Sequence, residues 1–400
     1  MSALGINNIF SSFKLHPWKW IIVVCCLLAG VLAVQAHVTT NYNDGMQLTS
    51  YNNFVIFRQS FFHLLNHQDL YLKYKYEYWD IYKYSPTFAV FMAPFAILPA
   101  IPSLLLWNLT NVLALLFGIQ YQRHFDQVKK SLVVAFVFIE LATSLQNEQC
   151  NALVVGLLLI AFGLAEKQKL FAAVGIILFT GFIKLIGIAA LSIFIFYPKW
   201  HKAILYCIIW LFIYLLLPLL FVAPSELLFQ YTRWLEILNE DLAGTGGLSV
   251  ISISRFFSGY EVSKTAIQLT GMVLLLLPLI QWKKFVSAEL RMKYFSSVLI
   301  WMVIFNHKAE SPSFIIAVTG VAIWYFNSSK TIVNHLLLAF CLIGTQLSTT
   351  DIFPNTLQNG IFTASALKAI PCFFIWIKLT FELYQETIFS IRQNKLVQSN

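Results

Sequence analysis

Apolar runs of about 14 to 22 residues recur along almost the whole chain, and they constrain the fold more than any other feature. Of the 400 residues, 58% are hydrophobic and only 11% are charged, whereas ordinary globular domains carry about a quarter charged residues. A soluble domain of this length would need far more polar surface. The sequence therefore predicts an all-α polytopic membrane protein that forms a single domain over residues 1–400.

We expect about twelve transmembrane helices, several of them short enough to require tilting or local thinning of the bilayer. The predicted spans cover residues 18–37, 102–121, 131–146, 150–165, 169–183, 185–198, 202–222, 263–281, 294–306, 312–327, 331–347 and 361–381. The segment 86–99 is also apolar, but counting it as a span would turn every later basic loop outward. We interpret it as a half-membrane or interfacial segment.

Basic residues in the short loops indicate the orientation. The loops 146–149 and 348–360 contain no Lys or Arg, whereas the alternate loops are rich in both. The positive-inside rule places the basic loops in the cytoplasm. The net charge of +9 then reflects topology, and we expect no nucleic-acid partner. Loops 38–101 and 223–262 and the turns 146–151 and 306–313 face outward.

Metal and cofactor chemistry has no support in the sequence. The six cysteines lie in or beside apolar runs without a CxxC pair, which is typical of small packing residues. The aspartates are isolated from one another, so there is no DxD motif for a metal-bound nucleotide sugar. We predict no metal site and no cofactor.

The first outer loop opens with a predicted amphipathic helix. Its apolar face carries Phe54, Phe57, Phe61, Leu64 and Leu65. Arg58 and His63 lie on the polar face, which is typical of a helix at the membrane surface. Asn52 or Asn53 is suited to cap it. Arg58 fits two interpretations, a snorkelling cation or a ligand of a lipid phosphate.

Two short polar turns and two ionisable residues in apolar runs are further candidates. The turns are Gln146-Asn147-Glu148-Gln149-Cys150-Asn151 and Asn306-His307-Lys308-Ala309-Glu310-Ser311-Pro312. Each fits either a simple hairpin or hydroxyl recognition. Lys184 and Glu140 are ionisable groups at membrane depth, where function is the first hypothesis. For Lys184 we favour a phosphate contact, and for Glu140 a structural pairing with Asn108, Thr110 or Asn111.

A tyrosine-rich stretch also has two interpretations. It contains Tyr71, Tyr74, Tyr76, Tyr78, Tyr82 and Tyr84. Such residues form an aromatic belt at a membrane interface, or they stack on a sugar ring.

A set of motifs over about residues 15–345 resembles glycosyltransferase family 87. The matching pieces are Asn53-Phe54-Val55-Ile56-Phe57, Gln68-Asp69-Leu70-Tyr71, Lys83-Tyr84-Ser85-Pro86-Thr87, Glu148-Gln149-Cys150-Asn151, Lys184 and Ser311-Pro312. The resemblance implies a GT-C-like helical bundle with an external amphipathic loop. It also implies transfer of a hexose, typically mannose, from a polyprenyl-phosphate donor to a lipid or glycan acceptor. The reaction would occur on the outer face of a bacterial cytoplasmic (inner) membrane, among membrane lipids.

One departure from the family pattern affects the mechanism. The family's catalytic aspartate corresponds to Asn53, and an amide cannot act as a general base. Another acid has replaced it, or the reaction differs, or the protein is inactive; we favour a substituted base. The base candidates, in order of preference, are Glu310, Glu148 and Asp44. The candidates for substrate binding are Arg58, Lys83, Tyr84, Gln149, Asn151, Lys184, Arg255, His307 and Lys308.

Two other functional classes remain open. A transporter would show inverted repeats with paired broken helices, and the sequence shows no such symmetry. An O-antigen polymerase or ligase would concentrate arginines in a large late loop, but loop 223–262 contains only Arg233 and Arg255.

Overall fold

The computed structural model describes residues 17–43, 46–244 and 246–389, and helices dominate it. In chain order the helices are α1 (Pro17–Val38), α2 (Asn52–Leu65), α3 (Pro86–Phe91), α4 (Ala93–Ala96), α5 (Ala100–Gln120), α6 (Gln127–Gln146), α7 (Asn151–Glu166), α8 (Leu170–Ile183), the 3-10 helix α9 (Leu185–Phe196), α10 (Trp200–Leu220), α11 (Pro224–Ala243), α12 (Val250–Ser258), α13 (Lys264–Lys284), α14 (Ala288–Ile304), α15 (Ser311–Phe326), α16 (Ile332–Thr349), α17 (Asn355–Phe362) and α18 (Leu367–Thr387). The predicted helical architecture is confirmed.

The all-α prediction needs one correction. A β-hairpin follows α1, with strand β1 (Thr40–Asn43) antiparallel to β2 (Met46–Thr49) and Thr40 opposite Thr49. The segment between α1 and α2 is too polar to continue a membrane helix, and its Thr and Tyr residues favour extended backbone.

The predicted number of about twelve spans is not confirmed. Within the described ranges, five helices are long and apolar enough to cross a membrane: α1, α5, α10, α13 and α16. A sixth arises if α17 and α18, bent by 76°, form one broken span. The predicted spans nevertheless coincide with helices, except 361–381, which crosses the break between α17 and α18. Most of the others are short; a 16-residue helix such as α7 measures roughly 24 Å, below the about 30 Å of the hydrocarbon core.

Small residues allow the central helices to pack closely. α5 packs on α7, and a Cβ atom added to Gly156 would lie 2.4 Å from the carbonyl carbon of Ala114. Gly118 meets the same constraint, since its Cβ would lie 2.5 Å from the Gly156 oxygen. Contacts of this type hold helices together in membranes, where the hydrophobic effect does not drive association.

Protein covers most of the apolar face of α2, although Leu65 at its end is 45% exposed. Phe54, Phe57 and Leu64 are at most 1% exposed, and Trp107 of α5 contacts both phenylalanines. The predicted surface position is therefore wrong for this face. The predicted cap is wrong as well. Tyr51 is the N-cap without a side-chain bond, and Asn52 Oδ1 accepts a hydrogen bond from the Trp79 amide.

Both interpretations of the tyrosine stretch fail for its buried members. Tyr71, Tyr78 and Tyr82 are 3%, 1% and 0% exposed, so neither lipid headgroups nor a sugar reach them. Their hydroxyls serve the local fold: Tyr71 donates to the Tyr84 carbonyl and Tyr82 to the Ser85 carbonyl. Tyr76 alone in this group is strongly exposed, at 90%.

The segment 86–99 does not span the membrane in this fold. It forms only α3 and α4, of six and four residues, and helices of this length reach well under half of the hydrocarbon thickness. Ser85 caps α3 by accepting from the Phe88 amide, with Pro86 in the first turn. The half-membrane interpretation agrees with this geometry.

Segments predicted to share a side of the membrane contact one another. At one end of the bundle, Asn53 reaches the turn after α6 and Gln149 reaches Glu310. At the other end, Arg291 forms a two-pronged ion pair with Glu166, at 2.7 Å for each bond. The candidate site lies at the first end, and the basic loops lie at the second.

Candidate active site

The turn between α6 and α7 brings polar groups to the end of the bundle under backbone strain. Glu148 has a φ of +46°, a conformation that costs a non-glycine residue energy unless its surroundings enforce it. Two long-range contacts enforce it here. Trp107 Nε1 donates to the Glu148 carbonyl at 2.8 Å, and Asn53 Nδ2 donates to the Asn147 carbonyl at 2.9 Å. Strain of this kind is typical of functional sites.

Lys184 lies at the apex of a helical hairpin. Its backbone is extended, so the chain reverses between α8 and α9. Gly187 makes this reversal possible, because a Cβ there would lie 2.6 Å from Thr180 Oγ1 on the facing helix. Lys184 Nζ donates to Asn151 Oδ1 at 2.6 Å, next to the strained turn.

The turn between α14 and α15 supplies Glu310. Residues of the loop before α12 pair with it through the backbone: Gly247 N donates to the His307 carbonyl and Leu248 N to the Ala309 carbonyl. Gly247 is required here, since a Cβ would lie 2.5 Å from the Ala309 nitrogen. The glycine at position 247 therefore allows a close backbone contact between this loop and the turn.

These elements converge on what we call the Glu310 group. Its members are Tyr84, Gln149, Cys150, Asn151, Lys184 and Glu310. Gln149 Nε2 donates to Glu310 Oε2 at 3.3 Å, and the Cys150 thiol donates to the Tyr84 hydroxyl at 3.9 Å. Burial raises the pKa of Tyr84 well above its usual range, so this hydroxyl stays neutral. The group combines a carboxylate, a cation and neutral donors.

Glu148 and Glu310 differ in environment. Glu148 is 2% exposed, and burial raises its pKa from an ordinary 4.5 to about 9. It is therefore protonated at neutral pH and cannot accept a proton as a general base. Glu310 is exposed toward the cavity described below. Of the two side chains, only Glu310 is accessible from the cavity.

A second cluster, the Asp241 group, lies beside the first. Asp241, near the end of α11, is approached by Lys308 Nζ at 3.4 Å and by Lys83 Nζ at 4.0 Å. His307 Nε2 donates to the Asp241 carbonyl at 2.9 Å. Three predicted substrate-binding residues are thus held by a residue that the sequence did not single out.

The expected partner of Glu140 is wrong. Its carboxylate lies 2.9 Å from Lys368 Nζ of α18, and the two side chains are 0% and 2% exposed. Lys368 also donates to Ser311 Oγ at 2.9 Å and to Thr349 Oγ1 at 3.3 Å. A buried charge demands a counter-charge in a low dielectric, and the amide and hydroxyl groups of α5 supply none.

A cavity of about 600 Å³ opens beside Glu310. Its walls come from the loop 246–248, the turn 308–311, the end of α16, α17 and the start of α18. Its volume falls within the range of about 300–1,000 Å³ of ligand pockets. Glu310, Lys308 and Lys368 all contribute to its surface.

The remaining candidates lie outside these clusters. Arg58 donates to the carbonyls of Ala96 and Leu98 at 3.1 and 3.0 Å, which fixes α2 on the segment after α4. Arg255 of α12 pairs with Glu261 at 3.6 Å, and both are exposed. Asp44 lies outside the described residues.

Sequence reasoning missed Lys368 and Asp241. Lys368 lies inside the predicted span 361–381, and the rule that marked Lys184, an ionisable group in an apolar run, applies equally to it. Asp241 had no such signal, since it follows Glu240 in an ordinary amphipathic helix.

The sequence profile of glycosyltransferase family 87 matches residues 82–343, well over half of the chain. No curated protein sequence matches this chain. Among solved structures, ArnT from Cupriavidus metallidurans in the apo state is similar with a TM-score of 0.47 and 12% identity, over 94% of this chain and 78% of ArnT.

ArnT from the same organism bound to undecaprenyl phosphate gives a TM-score of 0.39 at 12% identity, over 93% of this chain and 78% of ArnT. Both scores lie below 0.5, so neither likeness is evidence of substrate or mechanism. The profile match, which spans the Glu310 group from Tyr84 to Glu310 itself, decides the assignment: the chain belongs to glycosyltransferase family 87 and is a multi-pass membrane glycosyltransferase.

Proposed function

We propose that the protein transfers a hexose, with mannose as the first candidate, from a polyprenyl-phosphate donor to a hydroxyl of a lipid or glycan acceptor. The reaction takes place on the outer face of the cytoplasmic membrane of a bacterium, in a helical bundle of the GT-C type. The observation that carries the proposal is the Glu310 group. In it Gln149 donates a hydrogen bond to the Glu310 carboxylate, and Asn151, two residues later, accepts one from the Lys184 cation.

The transfer step needs one proton acceptor and one phosphate contact. The acceptor oxygen forms a bond to the anomeric carbon while the bond from that carbon to the phosphate oxygen breaks. The proton of the acceptor hydroxyl passes to the carboxylate of Glu310. The polyprenyl phosphate leaves with the bonding electrons, and the Lys184 cation stabilises its growing negative charge. No metal or nucleotide enters this balance.

Lys184 is better placed for the phosphate than Arg58. Arg58 already fixes the segment after α4, because its Nη2 donates to two backbone carbonyls while its Nε is buried. Lys184 has three donors, and within the described ranges it uses one of them, in the hydrogen bond to Asn151, which leaves two for a ligand. The half-buried position at the α8–α9 apex strengthens the attraction to an anion, because the local dielectric is lower than that of water.

The experiment is a transfer assay in proteoliposomes with labelled polyprenyl-phosphate mannose, beside a nucleotide-linked mannose. We expect transfer from the lipid donor only. Lys184→Gln should abolish transfer while expression and thermal stability in detergent stay near wild type. The matched control is Lys167→Gln, since Lys167 lies over the Tyr121 ring at the opposite end of the bundle. Full activity of Lys184→Gln would remove Lys184 from the phosphate site, and transfer from the nucleotide sugar would refute the donor class.

A further inference from the structure

Half of the cavity beside Glu310 is built from residues beyond the family match. The match ends at residue 343, while the end of α16, α17 and the start of α18 form one wall of the cavity. The opposite wall carries Lys308 and Glu310, which lie inside the match. The wall with Lys308 and Glu310, which the family profile covers, therefore faces a wall that lies beyond the profile.

Uncharged hydroxyl and amide groups dominate the polar lining. The residues concerned are Ser311, Ser348, Thr349, Gln358, Asn359 and Thr363. Such groups donate and accept hydrogen bonds at once, which matches the hydroxyls of a sugar. Phe362 adds an aromatic ring to the same wall, and ring faces pack on the apolar faces of sugars.

The cations of the cavity are already paired with acids that lie outside its lining. Lys368 forms its ion pair with Glu140 at 2.9 Å, and Lys308 lies 3.4 Å from Asp241. Their charges are thus compensated by the protein. An anionic ligand would gain little in this cavity, in contrast to the Lys184 side of Glu310.

We infer that this cavity is the acceptor subsite, and that it takes an uncharged polyhydroxylated sugar, such as the head of a neutral glycolipid. The inference rests on the proposed function and deepens it. Glu310 stands between the two subsites, with the donor phosphate on the Lys184 side and the acceptor hydroxyl on the cavity side. The segment 348–363 then selects the acceptor, independently of the donor.

Asn359 gives the sharpest test of this assignment. It is exposed, lines the cavity, and makes no side-chain hydrogen bond to the described part of the protein. Gln358, by contrast, holds the Thr350 and Phe353 carbonyls, so its replacement would disturb the local fold. Asn355 provides a matched control, because it lies on the same helix α17, is also exposed, and is not part of the lining.

The experiment measures transfer from polyprenyl-phosphate mannose to three soluble probes: octyl mannoside, its 6-phosphate and octanol. We expect transfer to octyl mannoside well above the other two. Asn359→Ala should raise the KM for octyl mannoside about three- to tenfold, the effect of one lost hydrogen bond. The KM for the donor and the rate of donor hydrolysis by water should not change. Asn355→Ala should match wild type throughout.

Equal use of octanol, or preference for the phosphorylated probe, would overturn the acceptor assignment while the proposed function stands. An unchanged octyl mannoside KM in Asn359→Ala would do the same. Failure of the wild-type protein to release mannose from the lipid donor, to any probe or to water, would instead refute the proposed function itself.

Discussion

At the scale of single residues, two glutamates of one site differ in burial: Glu148 is 2% exposed, whereas Glu310 is exposed. Both Glu148 and Glu310 lie in polar turns between apolar runs, and Glu148 also belongs to a motif that resembles the family. The sequence does not reveal burial, however, because it depends on which helices close over each turn. Trp107 covers the turn of Glu148, whereas Glu310 opens to the cavity. This difference in burial, invisible in the sequence, is the reason why we propose Glu310 and not Glu148 as the base.

The raised pKa of Glu148 predicts a pH-dependent loss of stability. Its pKa is about 9 in the folded protein and lower when the chain unfolds, so the folded state holds the proton more tightly. Stability should therefore fall as pH rises from about 5 to about 9. Glu148→Gln keeps a neutral group of the same shape and should escape this loss. The thermal midpoint in detergent should be higher for Glu148→Gln than for wild type, and the difference should grow as pH rises. A difference that stays constant between about pH 5 and pH 9 would contradict the raised pKa.

At the scale of secondary-structure elements, the polar contacts between distant helices were beyond sequence reasoning. The length and order of the apolar helices followed from hydrophobic runs, and the α8–α9 hairpin was correctly divided at Lys184. The pairing of α6 with α18 through Glu140 and Lys368 was not foreseen, since the two residues are far apart in sequence. The same holds for the packing of α2, whose apolar face would suit lipid or protein equally well.

The Glu140–Lys368 pair predicts strong coupling between α6 and α18. Breaking a buried ion pair by removing one partner typically costs about 3–5 kcal/mol, because the other charge is left without compensation. We expect Glu140→Gln and Lys368→Met each to lower the thermal midpoint strongly. The double variant should recover much of the loss. A double-mutant cycle in detergent measures this; additive losses would mean that the two side chains do not depend on each other.

At the scale of the whole molecule, contacts at the two ends of the bundle separate the chain into two sets of loops. The asymmetric distribution of Lys and Arg divided the same loops from the sequence alone. The sequence could not give the number of full spans, because helices of about 14 residues are shorter than the hydrocarbon core and cross a bilayer only where it thins locally. That geometry depends on neighbouring helices and on lipid.

The orientation is open to a direct labelling experiment. We expect Lys75→Cys and Asp351→Cys, both exposed and both in segments predicted to face outward, to react with a membrane-impermeant maleimide in intact spheroplasts. Lys202→Cys, in a basic loop, should react only after permeabilisation. The six native cysteines are buried or half-buried, which keeps the background low. If only Lys202→Cys is labelled in intact spheroplasts, the predicted orientation is wrong and the basic loops face outward.

The most direct test of the account compares isosteric replacements of the carboxylates in the reconstituted transfer assay. Glu310→Gln removes the proposed base and should lower turnover about a hundredfold to ten-thousandfold. Glu148→Gln preserves the neutral state of that side chain and should stay within about tenfold of wild type. Asp44→Asn, which replaces the third candidate base, is measured in the same assay. Near-normal turnover of Glu310→Gln, or a loss confined to Glu148→Gln or Asp44→Asn, would contradict the assignment of Glu310 as the base.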